Sequence, residues 1–304
     1  MTPRPPIRTP PLFTVREARD HGMTMGQLRN AAFTRPFRGV RNAPGVVVDH
    51  LRRCAALAAR MPSGHALSHT TAALLHGIPL PFELETGPLH VTAPSPARGS
   101  KAAGTLGHRS LLRDEDVTTV DAIPVTTVER TWCDLAPMVA LPDLVAAGDY
   151  LLRWTAPATT RELLVEASDR HPSRRGRPTR LAALDLLSAY SESRPESHMR
   201  VALVMSPLPD PIPNFPVYLT AARRNIRLDL AYPAYRVGLE YQGDHHRSDR
   251  SQWRSDVGRG NDAVDEGWSM LYFTGDDLPD MPALVARVER RLRSRGWPGA
   301  PGIV

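Results

Sequence analysis

Asp229 and Glu240 are separated by ten residues, Gln242 follows two positions later, and Asp244, His245 and His246 come directly after Gly243. Carboxylate oxygens are the ligands a hard divalent cation takes. An ion-bound water that attacks a phosphodiester also needs a polar group to position it and a donor for the leaving oxygen or the phosphate. This short stretch holds all three kinds of group. A third carboxylate, Glu196, stands upstream beside Pro195.

The elements that would bring these groups together can be read locally. Residues 227–232 and 235–242 alternate like strands and are joined at Pro233 and Ala234, which predicts a β-hairpin. With its tip near Ala234 and Tyr235, Asp229 faces Glu240. Directly opposed side chains have Cβ atoms about 4.5–5.5 Å apart, and like charges so placed destabilise a hairpin unless a cation neutralises them. Alternation sets Glu240 and Gln242 on one face. Pro195 opens a helix whose first turn holds Glu196, either as a cap stabilised by the helix dipole or as a further acid at the cation. A second helix is expected over residues 248–266, with Ser248 as N-cap, Trp253 and Val257 toward the sheet, and Arg254 facing solvent or phosphate.

Several runs together carry a resemblance: Glu192-Ser-Arg-Pro-Glu-Ser-His-Met-Arg200, Arg227-Leu-Asp-Leu-Ala231, Val237-Gly-Leu-Glu-Tyr-Gln-Gly-Asp-His-His246, Gln252-Trp-Arg-Ser-Asp256, and Gly267-Trp268 with Asp276-Asp277-Leu278. In order and spacing, residues from about 191 to 297 resemble the very-short-patch-repair-like endonuclease domains of the PD-(D/E)xK superfamily. The resemblance implies a mixed sheet flanked by helices, with Mg²⁺ or Mn²⁺ held by Asp229 and Glu240 and with Glu196 as the helical acid. It departs at one place: the superfamily's usual lysine is Gln242, which cannot carry a positive charge toward the developing phosphorane. Very-short-patch-repair enzymes lack that lysine too and use nearby histidines, which implies a role for His245 or His246. Residues 10–45 resemble, more weakly, the winged-helix domain of AbiEi-type antitoxins.

Charge points the same way. The chain of 304 residues has a net charge of +6, which favours a polyanionic partner. Residues 1–60 hold eleven Arg against three acids. There Thr14 caps a short helix ending at Gly22, and Thr24 opens a second from Met25 to about Ala32, a helix-turn-helix pattern. Phe33 to Arg41 then alternates bulky and basic residues, as a wing does. Duplex DNA is the expected partner, contacted by Gln27 and Arg29 on the second helix and Arg35, Arg38 and Arg41 on the wing.

Three domains are expected in a mixed α/β chain: a winged-helix module at 1–60, a mostly helical middle domain at 61–178, and the nuclease-like domain at 179–304. The polar, proline-broken stretch 171–178 reads as the linker before the last. In the middle domain His69 and His76 fall on nearly one helix face, a spacing that satisfied histidines and metal ligands share. Cys54 and Cys133, each with no second Cys nearby, are expected to be buried structural thiols. No stretch has the eighteen apolar residues of a membrane span, and the start lacks an apolar signal core, so a cytoplasmic protein is expected. The leading function is a metal-dependent DNA endonuclease. The alternative is an antitoxin-type DNA-binding regulator, with an unidentified toxin partner, whose nuclease fold is catalytically degenerate.

Overall fold

The structure, a computed structural model, describes residues 12–35, 39–45, 49–220, 223–243 and 260–299. It is mixed α/β, with three sheets among the described residues. The chain divides into two units rather than three consecutive segments. The first comprises Met1–Val139 and Glu162–Arg177, and the second Ala140–Arg161 and Pro178–Val304. No helix among the described residues is long and apolar enough to cross a membrane.

In the first unit, β1 (Leu12–Thr14) pairs antiparallel with β2 (Val40–Asn42) around two short helices, Val15–Asp20 and Met25–Leu28. Both helices begin as expected. Thr14 and Thr24 each close a capping box, with Glu17 and Gln27 as the reciprocal partners. The second helix is one turn long, not two: Asn30 Oδ1 accepts from the Ala32 N–H at 2.9 Å, and Phe33 turns back to meet Phe13 edge to face at 5.8 Å.

The middle region, expected to be mostly helical, is built on a five-stranded mixed sheet. Its strands are β3 (Ala66–Leu67), β4 (Leu89–Pro94), β5 (Thr105–Ser110), β6 (Val117–Val120) and β7 (Ile123–Thr126), in the order β5-β4-β3-β7-β6. The helices His50–Ala58, His69–Leu75 and Val128–Leu135 accompany it. Leu57, Leu67, Ala72, Leu89, Val91 and Val125 form one buried cluster with Cys54. Both cysteines are buried, and burial pushes the Cys54 thiol up to about 12. The expected linker is anchored instead of free: His171 Nε2 lies 2.9 Å from Asp134 Oδ1, and a Cβ at Gly176 would press on the backbone of Ala136 and Pro137.

The second unit has a four-stranded sheet of order β11-β10-β9-β8, from β8 (Ile212–Leu219), β9 (Arg224–Tyr232), β10 (Val237–Tyr241) and β11 (Ser269–Phe273). The first three run antiparallel, and β11 joins β10 in parallel. Helices Arg194–Val204 and Met281–Ser294 bury Met199, Leu203, Leu284, Val288 and Leu292 against Leu230, Leu239, Leu271 and Phe273. A second cluster gathers Val217, Ile226 and Leu228 with Ala263, which belongs to helical turns at 260–265. At roughly 1.5–3 kcal/mol for each large apolar side chain, these clusters hold the strand ends in register.

Candidate active site

β9 and β10 pair as Val237↔Tyr232, Gly238↔Ala231 and Leu239↔Leu230, so Asp229 and Glu240 come next in the same register. The expected tip is therefore correct. It is a 3-10 turn, Pro233–Tyr235, followed by Arg236 at φ 48°. Past Leu230 the backbone ladder gives way to a side chain: the Tyr241 N–H donates to Asp229 Oδ2 at 2.7 Å. β10 runs on along its other edge, with Glu240↔Tyr272 and Tyr241↔Phe273, and the Gln242 N–H donates to the Phe273 carbonyl at 2.7 Å. Strand β11 thus carries the segment with Glu240 and Gln242 beyond the point where β9 stops supporting it.

Glu196 is the third residue of its helix, after the N-cap Ser193. Its Oε1 accepts from the Ser193 hydroxyl at 2.7 Å and its Oε2 from the Glu192 N–H at 2.8 Å. Glu196 thus sits in the first helical turn, as expected, and also faces Asp229. Burial first, and then the negative charge of Asp229, push its carboxyl up to about 7, against the pull of those two hydrogen bonds. A low dielectric and a like charge both disfavour ionisation.

Glu196, Asp229 and Glu240 line one cavity of about 150 Å³ with Gln242, Tyr272 and Gly260. A Cβ at Gly260 would overlap the Tyr272 hydroxyl, so this glycine lets the helical turn approach the cavity wall. The three acids also line a wider groove of about 600 Å³, which adds Glu192 and Asn214 and shares Arg227 with the cavity. Glu192 Oε1 accepts from Asn214 Nδ2 at 3.0 Å and from Trp154 Nε1 at 3.2 Å, and the Arg227 guanidinium stacks 4.4 Å above the Trp154 ring. Arg227, Glu192 and Tyr272 were not singled out from sequence as site residues. Arg227 could have been, since it precedes Asp229 by two on the same strand and so shares its face. His245, His246 and Arg254, and the predicted helix before residue 260, lie outside the described residues.

Among the expected DNA contacts, Arg29 and Arg35 are exposed, and Arg38 lies outside the described residues. Gln27 is exposed, but its Oε1 is drawn back onto the Thr24 N–H at 2.8 Å by the capping box. Arg41 is not a wing cation. It is buried, with Nε donating to the Leu28 carbonyl and Nη1 to the Val40 carbonyl, both at 2.9 Å. Strand β2 turns it under the second helix, where it satisfies a carbonyl at that helix's end. Burial holds its pKa below the usual value.

No family model matches the chain. It is 28% identical, over 88% of its length and 94% of theirs, to the uncharacterized proteins MT2308 and Rv2248 of Mycobacterium tuberculosis strains CDC 1551 and H37Rv. A solved structure, that of the Rv2827c protein from Mycobacterium tuberculosis, aligns over 58% of this chain and 72% of its own with a TM-score of 0.39 and 18% identity.

Proposed function

We propose that the protein is a divalent-metal-dependent DNA endonuclease. The observation that carries this reading is the convergence of Glu196, Asp229 and Glu240, from a helix and two strands, on one cavity. Carboxylates gathered this way raise one another's pKa unless a cation compensates, and the Glu196 carboxyl, raised first by burial, is raised further by Asp229. The residues fit a hard ion: Asp229 and Glu240 would hold Mg²⁺ or Mn²⁺, with Glu196 assisting. When bound, the ion supplies an acidified water and charge neutralisation at phosphate. Gln242, at the cavity wall, can orient a polar ligand through its amide. Arg227 in the adjoining groove, and Arg29 and Arg35 in the first unit, provide cations for the DNA backbone.

One observation favours a second reading, an antitoxin-type DNA-binding regulator with a degenerate nuclease fold. The residue at the cavity where the superfamily has lysine is neutral Gln242. The two readings separate on supercoiled plasmid treated with full-length protein and Mg²⁺, Mn²⁺ or chelator. The endonuclease nicks or cuts only with metal; Glu240→Ala and Asp229→Ala lose cleavage but keep DNA binding; Gln242→Lys maintains or raises the rate. DNA binding with no cleavage by wild type or Gln242→Lys identifies the regulator. Cleavage that persists in Glu240→Ala comes from a contaminant.

A further inference from the structure

Three histidines distant in sequence, His69, His90 and His108, meet in the first unit with ligand nitrogens all within 4.8 Å of one another. Strands β4 and β5 run parallel with Thr92 opposite His108, so His90 and His108 are two positions out of step and share a face. Their Nδ1 and Nε2 atoms are 3.0 Å apart. His69 arrives from the other side as the first residue of its helix, with the buried Ser68 as N-cap. Ser68 Oγ makes no cap hydrogen bond; it accepts from the Thr92 hydroxyl at 2.7 Å and lies 2.9 Å from His69 Nδ1. If His69 Nδ1–H donates to that oxygen, its Nε2 lone pair is free, the outer arrangement that orients ligating histidines. His69 also holds φ at 53°, a left-handed backbone that few non-glycine residues adopt outside special sites.

We propose that His69, His90 and His108 form a binding site for a divalent transition-metal ion, zinc being the best match. Imidazole suits zinc, and three histidines with an open fourth position make a recurrent zinc set. Zn–N bonds of about 2.0–2.1 Å in a tetrahedron put ligand nitrogens roughly 3.3 Å apart, close to the His90–His108 separation. The His69 ring is stacked on His108 at 3.8 Å between centroids, so ligation turns it out of that stack. Burial lowers the pKa of His69 to about 3 and of His90 to about 4 and also lowers that of His108, which leaves neutral imidazoles ready to bind.

The open side faces a cavity of about 340 Å³ that Asp134, His171, Arg109 and Arg175 help to line. Asp134 Oδ1 is held by Arg130 Nε at 3.1 Å and His171 Nε2 at 2.9 Å, whereas its Oδ2 is buried with no hydrogen-bond partner among the described residues. The Asp134 charge acts on both His69 and His108. A water on the ion is the donor this oxygen lacks. The site is independent of the carboxylate cavity and needs no endonuclease activity.

Full-length protein stripped with chelator is titrated with Zn²⁺ against a chromophoric chelator, and with Co²⁺ followed by visible absorption. One tight site is expected, unchanged in Glu240→Ala. Ser68→Ala should weaken it by roughly 10–100-fold, as loss of a supporting hydrogen bond does, and His108→Ala by more. His69→Asn gives a second ligand deletion that the left-handed backbone accepts, should His108→Ala fail to fold by circular dichroism. Zinc affinity equal to wild type in a folded ligand variant, or no binding by the wild type at micromolar zinc, overturns the proposal.

Discussion

Glu196→Gln tests the electrostatic account of the carboxylate cavity without presupposing catalysis. A glutamine can reproduce both contacts, accepting from the Glu192 N–H and donating to Ser193 Oγ, so the substitution removes charge and little else. The folded carboxyl titrates at about 7 against an ordinary 4.5. It binds its proton more tightly folded than unfolded, so its contribution to stability is full below 4.5 and is lost as pH rises through 7. At about 1.4 kcal/mol per pH unit, the loss approaches roughly 3 kcal/mol above pH 8. Urea unfolding in chelator should find Glu196→Gln more stable than wild type by about 1–3 kcal/mol near pH 8, with the gap closing toward pH 4.5. Adding Mg²⁺ near pH 8 should narrow it, because a cation then offsets the charge in the wild type. A gap independent of pH, or a less stable variant near pH 8, would refute the reasoning and leave Glu196 a simple cap.

Asp149→Ala should destabilise the second unit by about 3–5 kcal/mol in urea unfolding, because it strands a buried charge: Arg200 Nη2 donates to Asp149 Oδ2 at 2.7 Å. Arg41→Ala should lower stability by about 1–3 kcal/mol, since two carbonyls lose their buried donor. It should leave DNA affinity unchanged in gel-shift titrations, while Arg29→Ala and Arg35→Ala weaken binding and flatten its salt dependence. The β6–β7 hairpin turns on Asp121 and Ala122 at φ 49° and 62°. Changing the pair to Asn-Gly should raise the thermal midpoint, by about 1 kcal/mol of stability.

That hairpin also shows why the middle sheet escaped the sequence. A two-residue turn with both φ positive is recognised by Asn-Gly or Asp-Gly, and Asp121-Ala122 carries half of that signal. Strand β5 gave less: Thr-Leu-Gly-His-Arg-Ser has Gly107 at its centre and no buried face, and it follows a stretch rich in Pro, Gly and Ser. It is a strand because β4 offers it a parallel edge, a long-range cause that local propensity does not register. By contrast, the caps at Thr14 and Thr24 sit where their side chains predict, since each depends only on a neighbour three residues on. Arg41 lies between these cases. Its type suggested a phosphate contact, but Val40 and Arg41 are both buried on β2, and only the packing of the second helix over it reveals that.

The same division separates the two candidate sites. Asp229 and Glu240 are joined by a tight hairpin, so register alone set them together, and the apolar residues between them enforced that register from sequence. Glu196 was legible as an acid in a first helical turn, but its approach to Asp229 depends on how Met199 and Leu203 seat the helix on the sheet. His69, His90 and His108 have no such local link. One starts a helix, two stand on parallel strands, and the pairing of His69 with His76 by helical spacing pointed elsewhere: His76 Nε2 meets the Thr126 carbonyl at 2.8 Å. A parallel strand pair joins residues through a crossover and not a turn, so no spacing rule announces which histidines it will bring together. Sites on hairpins are therefore open to sequence analysis in this chain, and sites across parallel strands only to the folded structure.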